Sequence, residues 1–321
     1  MVYNKYIGII GGTGTIGSII VKYLLQLQTH FHVLIGGRRS IKEISMSTFY
    51  NSERLKYNQM NYNNDVELDN FCSQCLLVIN AVGPSFKIND KIALHALRNN
   101  CHYIDIGGYG ILRDLLKPYE KSIEAQKLCF IIGVGWMPGI SGVFSKTIIE
   151  THLNSPENTN FNIYYGAVDN WSYSSTYDLA ASSMGKTRSY VYSHGKEIQV
   201  SPFRYTHHKF FPFIGHKKIC MPSFDEQLTQ LATSLKQIRK ISTFIMLNDY
   251  ISMGKFMFIK IFYKHNLNKA TLMLQDDYQR LVKKENKWGS VICQVSKIEP
   301  ERKIDTFYYC LLYTSPSPRD V

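Results

Sequence analysis

Several things are scarce in this chain of 321 residues, and each scarcity closes a door. No uninterrupted apolar run reaches the roughly 20 residues that a membrane-spanning helix needs. The nearest, ISTFIMLNDYISMGKFMFIKIFYKH at 241–265, is broken by Asn248, Asp249, Lys255 and Lys260. It reads as a core helix; the alternative is a surface helix whose apolar face meets a partner or a membrane. Blocks of like charge are missing too, although the net charge is +12 and the pI about 9.2. Residues 1–140 carry 14 Lys/Arg against 10 Asp/Glu, and residues 141–321 carry 23 against 15. Lys, Asn, Ile, Tyr and Phe are abundant together, the drift of AT-rich coding sequence. A basic balance this diffuse does not draw a nucleic-acid footprint, so no nucleic-acid partner is expected. The seven cysteines are odd in number and scattered at 72, 75, 101, 129, 220, 293 and 310. That suits a reducing cytoplasm better than a disulfide framework. Cys72-Ser-Gln-Cys75 has zinc or redox spacing, but no second CxxC completes a tetrahedral site, and no metal is expected.

What is present begins at KYIGIIGGTGTIGSIIVKYLL, residues 5–25. A signal peptide would need a small-residue cleavage site after its apolar centre, and Tyr23–Gln28 offers none. The glycines favour another reading. Tyr6–Ile10 is a compact β-prone run, fit for a strand buried on both faces. Gly12-Thr13-Gly14-Thr15-Ile16-Gly17 then spells G-x-G-x-x-G where strand gives way to helix, and Ile16, Ile19, Ile20, Tyr23, Leu24 and Leu27 follow at helical spacing. Gly12 permits the tight turn, Gly14 lets a pyrophosphate approach bare amides at the positive helix end, and Gly17 lets the helix lie close on the strands. A second strand, His32–Gly36, completes a βαβ unit of about thirty residues.

After that strand a ribose-binding Asp or Glu is usual in NAD sites. This chain has Gly36-Gly37-Arg38-Arg39-Ser40 instead. Paired guanidiniums can grip a 2′-phosphate with charge-assisted bonds, so NADP(H) is preferred over NAD(H). The bland alternative is a pair of solvated loop charges.

The βα rhythm continues with strands at Leu55–Tyr62, Leu76–Val82, Tyr103–Ile106 and Cys129–Val134, and helices at Asp65–Gln74, Ile88–Asn99 and Ile111–Leu128. Such alternation predicts a Rossmann-type doubly wound parallel sheet, an α/β fold with ligands beyond the carboxyl ends of its strands. Gly12–Ile16, Asn80–Pro84, Asp105–Tyr109 and Gly135–Gly139 would then share one edge. Asp105 is the best ionisable candidate there for orienting substrate or relaying a proton; capping a turn through backbone amides is an equal alternative. No Tyr-x-x-x-Lys occurs in the first domain.

Four ordered segments, IGIIGGTGTIG, VINAVGPSF (78–86), HYIDIGG (102–108) and GVGWMPGISG (133–142), resemble the saccharopine dehydrogenase-like reductases. The resemblance implies that Asn80, Ala81, Gly83 and Pro84 lie beside the nicotinamide half of the cofactor; the motif itself assigns Gly12, Thr13, Gly14, Thr15, Ile16 and Gly17 to the pyrophosphate, and the charge argument assigns Arg38 and Arg39 to the 2′-phosphate. Tyr109 stands where the family often has glutamate, so the substrate need not be saccharopine; Tyr109 and Trp136 are candidate substrate contacts. The resemblance also implies a second α/β (α+β) substrate and dimerisation domain, hence a homodimer.

The expected domains are 1–140 and 141–310. In the second, Ile140–His152, Tyr177–Met184 and Phe224–Leu235 read as helices, and Phe161–Asp169 and Ser189–Val200 as strands, the latter turning at His194-Gly195. His207, His208 and His216 read as packing residues of an aromatic loop rather than ligands. Tyr173, Tyr177 and Asp178 are candidates to face a cleft, Tyr177 as a proton donor. The tail, LLYTSPSPRDV, resembles translated adaptor and is set aside as non-native or disordered over 311–321. Together these readings predict a cytoplasmic NADPH-dependent oxidoreductase that transfers hydride to a C=N or other activated double bond of a small amino-acid-like substrate. A non-enzymatic NADP(H)-binding redox sensor or scaffold, and a lipid-linked enoyl or keto reductase at a membrane surface, are the alternatives.

Overall fold

The computed structural model describes residues 5–27, 30–40, 52–108, 110–152, 159–184, 189–194, 196–212, 214–223, 231–232, 238–297 and 304–311. They divide into two compact units, Met1–Pro138 and Gly139–Val321.

The first unit is built on six parallel strands: β1 (Tyr6–Ile10), β2 (Val33–Gly37), β3 (Leu55–Gln59), β4 (Cys75–Asn80), β5 (His102–Asp105) and β6 (Phe130–Ile131). Their order across the sheet is β3-β2-β1-β4-β5-β6, so the winding reverses between β1 and β4. This is the doubly wound α/β arrangement, with its crevice at that switch point. Alternate residues of the inner strands fill the two faces. Ile9, Val33 and Ile35 pack with Val21 on one side, and Ile10, Leu34 and Val78 with Leu68 and Phe71 on the other.

Helix α1 (Thr15–Gln26) lies on the first of those faces, rotated from the expected stripe. Gly17, Ile20, Val21 and Leu24 turn inward, whereas Ile16, Ile19, Tyr23 and Leu27 are exposed. Gly17 sets the rotation, because a Cβ there would overlap the Gly11 carbonyl and only a glycine can face the turn so closely. After β3, α2 (Asp65–Ser73) is capped by Asn64, whose Oδ1 accepts from the amides of Val66 (3.1 Å) and Glu67 (3.4 Å).

Two expected helices are interrupted. Ile88–Asn99 resolves into α3 (Ser85–Ile88) and α4 (Lys91–Arg98), separated where Asn89 takes φ 52°. Ile111–Leu128 resolves into α5 (Gly110–Leu116), a 3-10 turn at Lys117–Tyr119 and α6 (Glu120–Ala125). Pro118 accounts for the break, since it has no N–H to continue the ladder and its ring crowds the preceding turn. The sixth strand is also shorter than Cys129–Val134; the chain leaves the sheet before Gly133, at φ 71°.

The second unit opens with α7 (Ile140–His152) and is built on an eight-stranded mixed sheet. Its strands are β7 (Thr159–Val168), β8 (Tyr190–Ser193), β9 (Lys196–Gln199), β10 (His207–Phe211), β11 (His216–Ser223), β12 (Lys240–Leu247), β13 (Trp288–Lys297) and β14 (Ile304–Leu311). The main path runs β10-β11-β12-β7-β13-β14, with β8 joining β12 and β9 joining β8. Only the β12–β7 pair is parallel among those described. Further helices accompany the sheet: α8 (Tyr173–Met184), α9 (Pro202–Tyr205), α10 (Tyr250–Phe262) and α11 (Leu267–Val282).

Residues 241–265 are not a core helix. The β-prone KISTFIML forms β12, whose strand neighbours are β11, β7 and β8, and Asn248-Asp249 end it. Asp249 then caps α10, accepting from the Ser252 amide (2.8 Å), and Arg280 of α11 grips the same carboxylate at 2.7 and 2.9 Å. The three histidines are not in a loop either: His207 and His208 start β10 and His216 starts β11, a hairpin in which Phe211 pairs with His216. Of the expected helix Phe224–Leu235 only Leu231 and Ala232 are described, and residues 312–321 of the tail lie outside the described residues, Leu311 closing β14.

Candidate functional site

The Gly-rich turn leaves β1 through Gly11, at φ 84°, so the left-handed residue is Gly11 rather than Gly12. Gly12 has a different constraint: a Cβ there would press on the Ile35 side chain at 2.8 Å. Gly14 sits at the N-cap of α1, its amide bonded to the Gly11 carbonyl at 2.9 Å, and no side chain caps the helix. A Cβ on Gly14 would meet only the Gly11 carbonyl, at 3.2 Å. Thr13, Thr15 and Ile16 are half-buried to exposed around it. The positive end of α1 therefore presents amides without a side-chain acceptor over open space, which is the cradle a pyrophosphate requires.

The strand end that carries the arginines adjoins this turn. A Cβ on Gly37 would lie 3.5 Å from Thr13 Oγ1, which places Arg38 and Arg39, both exposed, at the same corner. Tyr57 of β3 fixes their loop: its hydroxyl sits 2.5 Å from the Arg39 carbonyl and 2.9 Å from that of Gly37. No carboxylate occupies positions 36–40. Tyr57 is a site-shaping residue for which the sequence carries no signal beyond an aromatic in a strand.

On the other flank, β1 pairs with β4, and the Ala81 amide bonds the Ile10 carbonyl at 2.9 Å. The left-handed Gly11 touches this loop, since a Cβ there would meet Ala81 and Val82 at about 3 Å. Ala81 and Val82 thus border the turn directly, with Asn80, Gly83 and Pro84 next to them in the chain. Asn80 faces Asp105 in the β4–β5 register, and the two are joined by an Asn80 Nδ2 donor bond of 2.8 Å. The Asp105 carboxylate also accepts from the Tyr103 hydroxyl (2.6 Å) and the Gly107 amide (2.8 Å).

Both residues are almost fully buried. Burial, and next the Asp105 charge, push the Tyr103 phenol well above its ordinary value. Of the three donors on this buried carboxylate, the Gly107 amide is the kind the turn-capping alternative for Asp105 names, and the two side chains tie the ends of β4 and β5 together. Next to it a small open pocket is lined by the polar Asn80, Ser85, Asn89 and Asp105 and by the apolar Phe86, Ile88, Ile111 and Leu112. Ser85 and Asn89 were missed from sequence; the left-handed turn at Asn89 that brings it there has no local motif.

Gly135 closes the edge, because a Cβ on it would approach the Ile106 carbonyl at 2.6 Å. Trp136 follows, its indole Nε1 buried and without an acceptor among the described residues. Tyr109 lies outside the described residues. In the second unit, Tyr177 is buried on α8 with its ring 6.1 Å from that of Tyr173, and Asp178 is buried beside it. His207 Nδ1 lies 3.0 Å from the Tyr205 carbonyl and His208 Nε2 2.9 Å from the Tyr250 hydroxyl. The described residues hold no group of three or more His, Cys, Asp or Glu placed for a metal.

Residues 7–129 match the family described as "Saccharopine dehydrogenase NADP binding domain". This stretch belongs to that family. The whole chain is also similar in fold to saccharopine dehydrogenase (L-Glu forming) from Saccharomyces cerevisiae, at 14% identity and a TM-score of 0.65, over 95% of this chain and 85% of that one. A short-chain dehydrogenase/reductase from Veillonella parvula in complex with NADP matches at 19% identity and a TM-score of 0.31, over 40% and 67%. No curated protein matches the chain in sequence. The saccharopine dehydrogenase-like fold accounts for both units: a doubly wound sheet, then a mixed sheet with helices. The residues present fit NADP(H), in that the glycine cradle is open, uncapped and bordered by two exposed arginines.

Proposed function

We propose that this protein is an NADP(H)-dependent reductase that delivers hydride to a C=N bond of a small amino-acid-like substrate. One observation supports it above others: the open phosphate cradle, the arginine pair and a pocket with both polar and apolar walls sit along the ends of neighbouring strands of one sheet. The amides of Thr13 and of Thr15–Gly17 hold the pyrophosphate, and Arg38 with Arg39 hold the 2′-phosphate. NADPH bound there supplies the hydride. Asn80, Tyr103 and Asp105 fix the strand ends that carry the pocket, and Ser85 and Asn89 offer it polar atoms to orient a substrate. An iminium carbon is electron-poor and its nitrogen already carries the proton that the product amine keeps. Such a reduction needs little acid–base machinery, which agrees with an Asp105 engaged by three donors.

The test is protein-dependent NADPH oxidation on a panel of 2-oxo acids with amines, preformed imines and enoyl compounds. Turnover with the imine-forming pairs is expected. Intact cofactor binding with no turnover on any member would instead support the redox-sensor alternative. For the cofactor, Arg38→Asp with Arg39→Ala is expected to weaken NADPH about tenfold or more relative to NADH, the scale of one lost charge-assisted bond. Equal losses for both, measured by isothermal titration, would place the phosphate elsewhere.

A further inference from the structure

Helix α10 is apolar on both sides, which a surface helix ordinarily is not. Its inner side, with Phe256 and Ile259, is buried against the core of the second unit. Its exposed residues are Tyr250, Ile251, Gly254, Phe258, Ile261 and Phe262. At helical spacing these six fall on a single arc of about a third of the circumference. The five side chains on it are between 38% and 66% exposed, and the Tyr250 hydroxyl is their one polar group. Nothing lies within 4 Å of where a Cβ on Gly254 would stand, so the strip is open along its middle.

The strip continues at one end. Tyr250 meets His208, and Phe210, 52% exposed, lies on the same side of β10 two residues on, paired with Lys217 of β11. At the other end come Lys264, His265 and Lys269, all exposed. Residues 250–275 hold four lysines and a histidine and no acidic residue. Among the described residues, Lys255 is the one of those lysines in an ion pair, with Asp276 and Asp277 of α11.

We propose that this outward face of α10 docks on an anionic lipid bilayer. Aromatic and aliphatic side chains on one arc enter the headgroup boundary, and the lysines at its ends meet lipid phosphates and carboxylates. No helix of the described residues is long and apolar enough to cross a membrane, so the contact is peripheral and reversible. The charge of the rim favours a lipid surface over a second copy of this chain, whose like-charged rim would face it across the interface.

The test is co-flotation of the full chain with vesicles of phosphatidylcholine alone or with about 30 mol% phosphatidylserine, at low and high salt. Binding to the anionic vesicles, weakened by salt, is expected. Phe258→Ser with Ile261→Ser and Phe262→Ser should lower partitioning about tenfold or more at unchanged circular dichroism. Lys264→Glu with Lys269→Glu, which leaves the apolar strip intact, should reduce binding to the anionic vesicles alone. No binding by the wild-type chain, equal binding to neutral vesicles, or indifference to both sets of changes would overturn the proposal. So would a dimer that the serine variant splits, seen by sedimentation in the absence of vesicle binding; that outcome assigns the face to a second copy.

Discussion

Replacing Gly17 and replacing Gly14 ask different questions of the same turn. A methyl at 17 collides with the Gly11 backbone, which cannot move without lifting α1 from the sheet. Gly17→Ala should therefore cost about 1–3 kcal/mol, read as a lower urea midpoint with or without cofactor. A methyl at 14 has one close neighbour and otherwise open space. Gly14→Ala is expected to leave the urea midpoint within about 1 kcal/mol of wild type while weakening NADPH, because it intrudes where phosphate oxygens would lie. Loss of folding without loss of affinity in the folded fraction would reverse that assignment. Asp105→Ala is predicted to act on stability. It strands the buried Asn80 amide and Tyr103 hydroxyl, at about 1–3 kcal/mol for each group left unsatisfied. A variant of normal stability that binds NADPH but does not turn over would restore Asp105 as the proton relay.

Among the elements, the junction of β12 and α10 rests on one carboxylate. Burial acts to raise the Asp249 pKa, but the bonds from Arg280 and Ser252 outweigh it and hold the group well below the ordinary carboxylate range. A depressed folded-state pKa means stability that is fully present above the unfolded value of 3.8 and lost as the pH falls below it. Wild type should thus exceed Asp249→Asn by a constant margin at neutral pH, with the two thermal midpoints converging as the pH drops below about 4. A margin that stays level through that range would remove the carboxylate's charge from the account.

The same junction marks where sequence reading failed. Compact apolar runs, glycine turns and the alternation of strand and helix carried the first unit well, as at Tyr6–Ile10 and Asp65–Ser73. At 241–265 an apolar run hid a strand and a helix separated by Asn248-Asp249, and periodicity cannot tell a buried strand from a buried helix. The stripe of α1 was misjudged for a related reason. Hydrophobicity alone does not reveal which side Gly17 forces against the sheet. The phosphate-binding turn was legible since its motif is local, whereas the pocket by Asn89 and the brace from Tyr57 arise from contacts between distant segments.

In the molecule as a whole, each unit closes its own core: Phe71, Leu68 and Tyr103 belong to one, and Tyr164, Phe211 and Trp288 to another. The basic surplus is global, and the acid-free span from 250 to 275 is one of several such stretches, 1–42 and 198–224 among them. Cysteines are distributed across both units in a way that is useful to the experimenter. Cys72, Cys75 and Cys101 are sealed in the first, Cys220 and Cys293 in the second, and Cys129 is exposed. Burial lifts the Cys101 thiol to about 11 and those of Cys220 and Cys293 to about 12, so at neutral pH almost none is in the reactive thiolate form. Alkylation followed by peptide mapping should mark Cys129 at once and the sealed five only as fast as their surroundings breathe. Should Cys72 react as promptly as Cys129, the first core would be far looser than its packing indicates. Otherwise the chain carries two independent clocks, one inside each half, and the effect of any ligand on either can be timed without attaching a single foreign label beforehand.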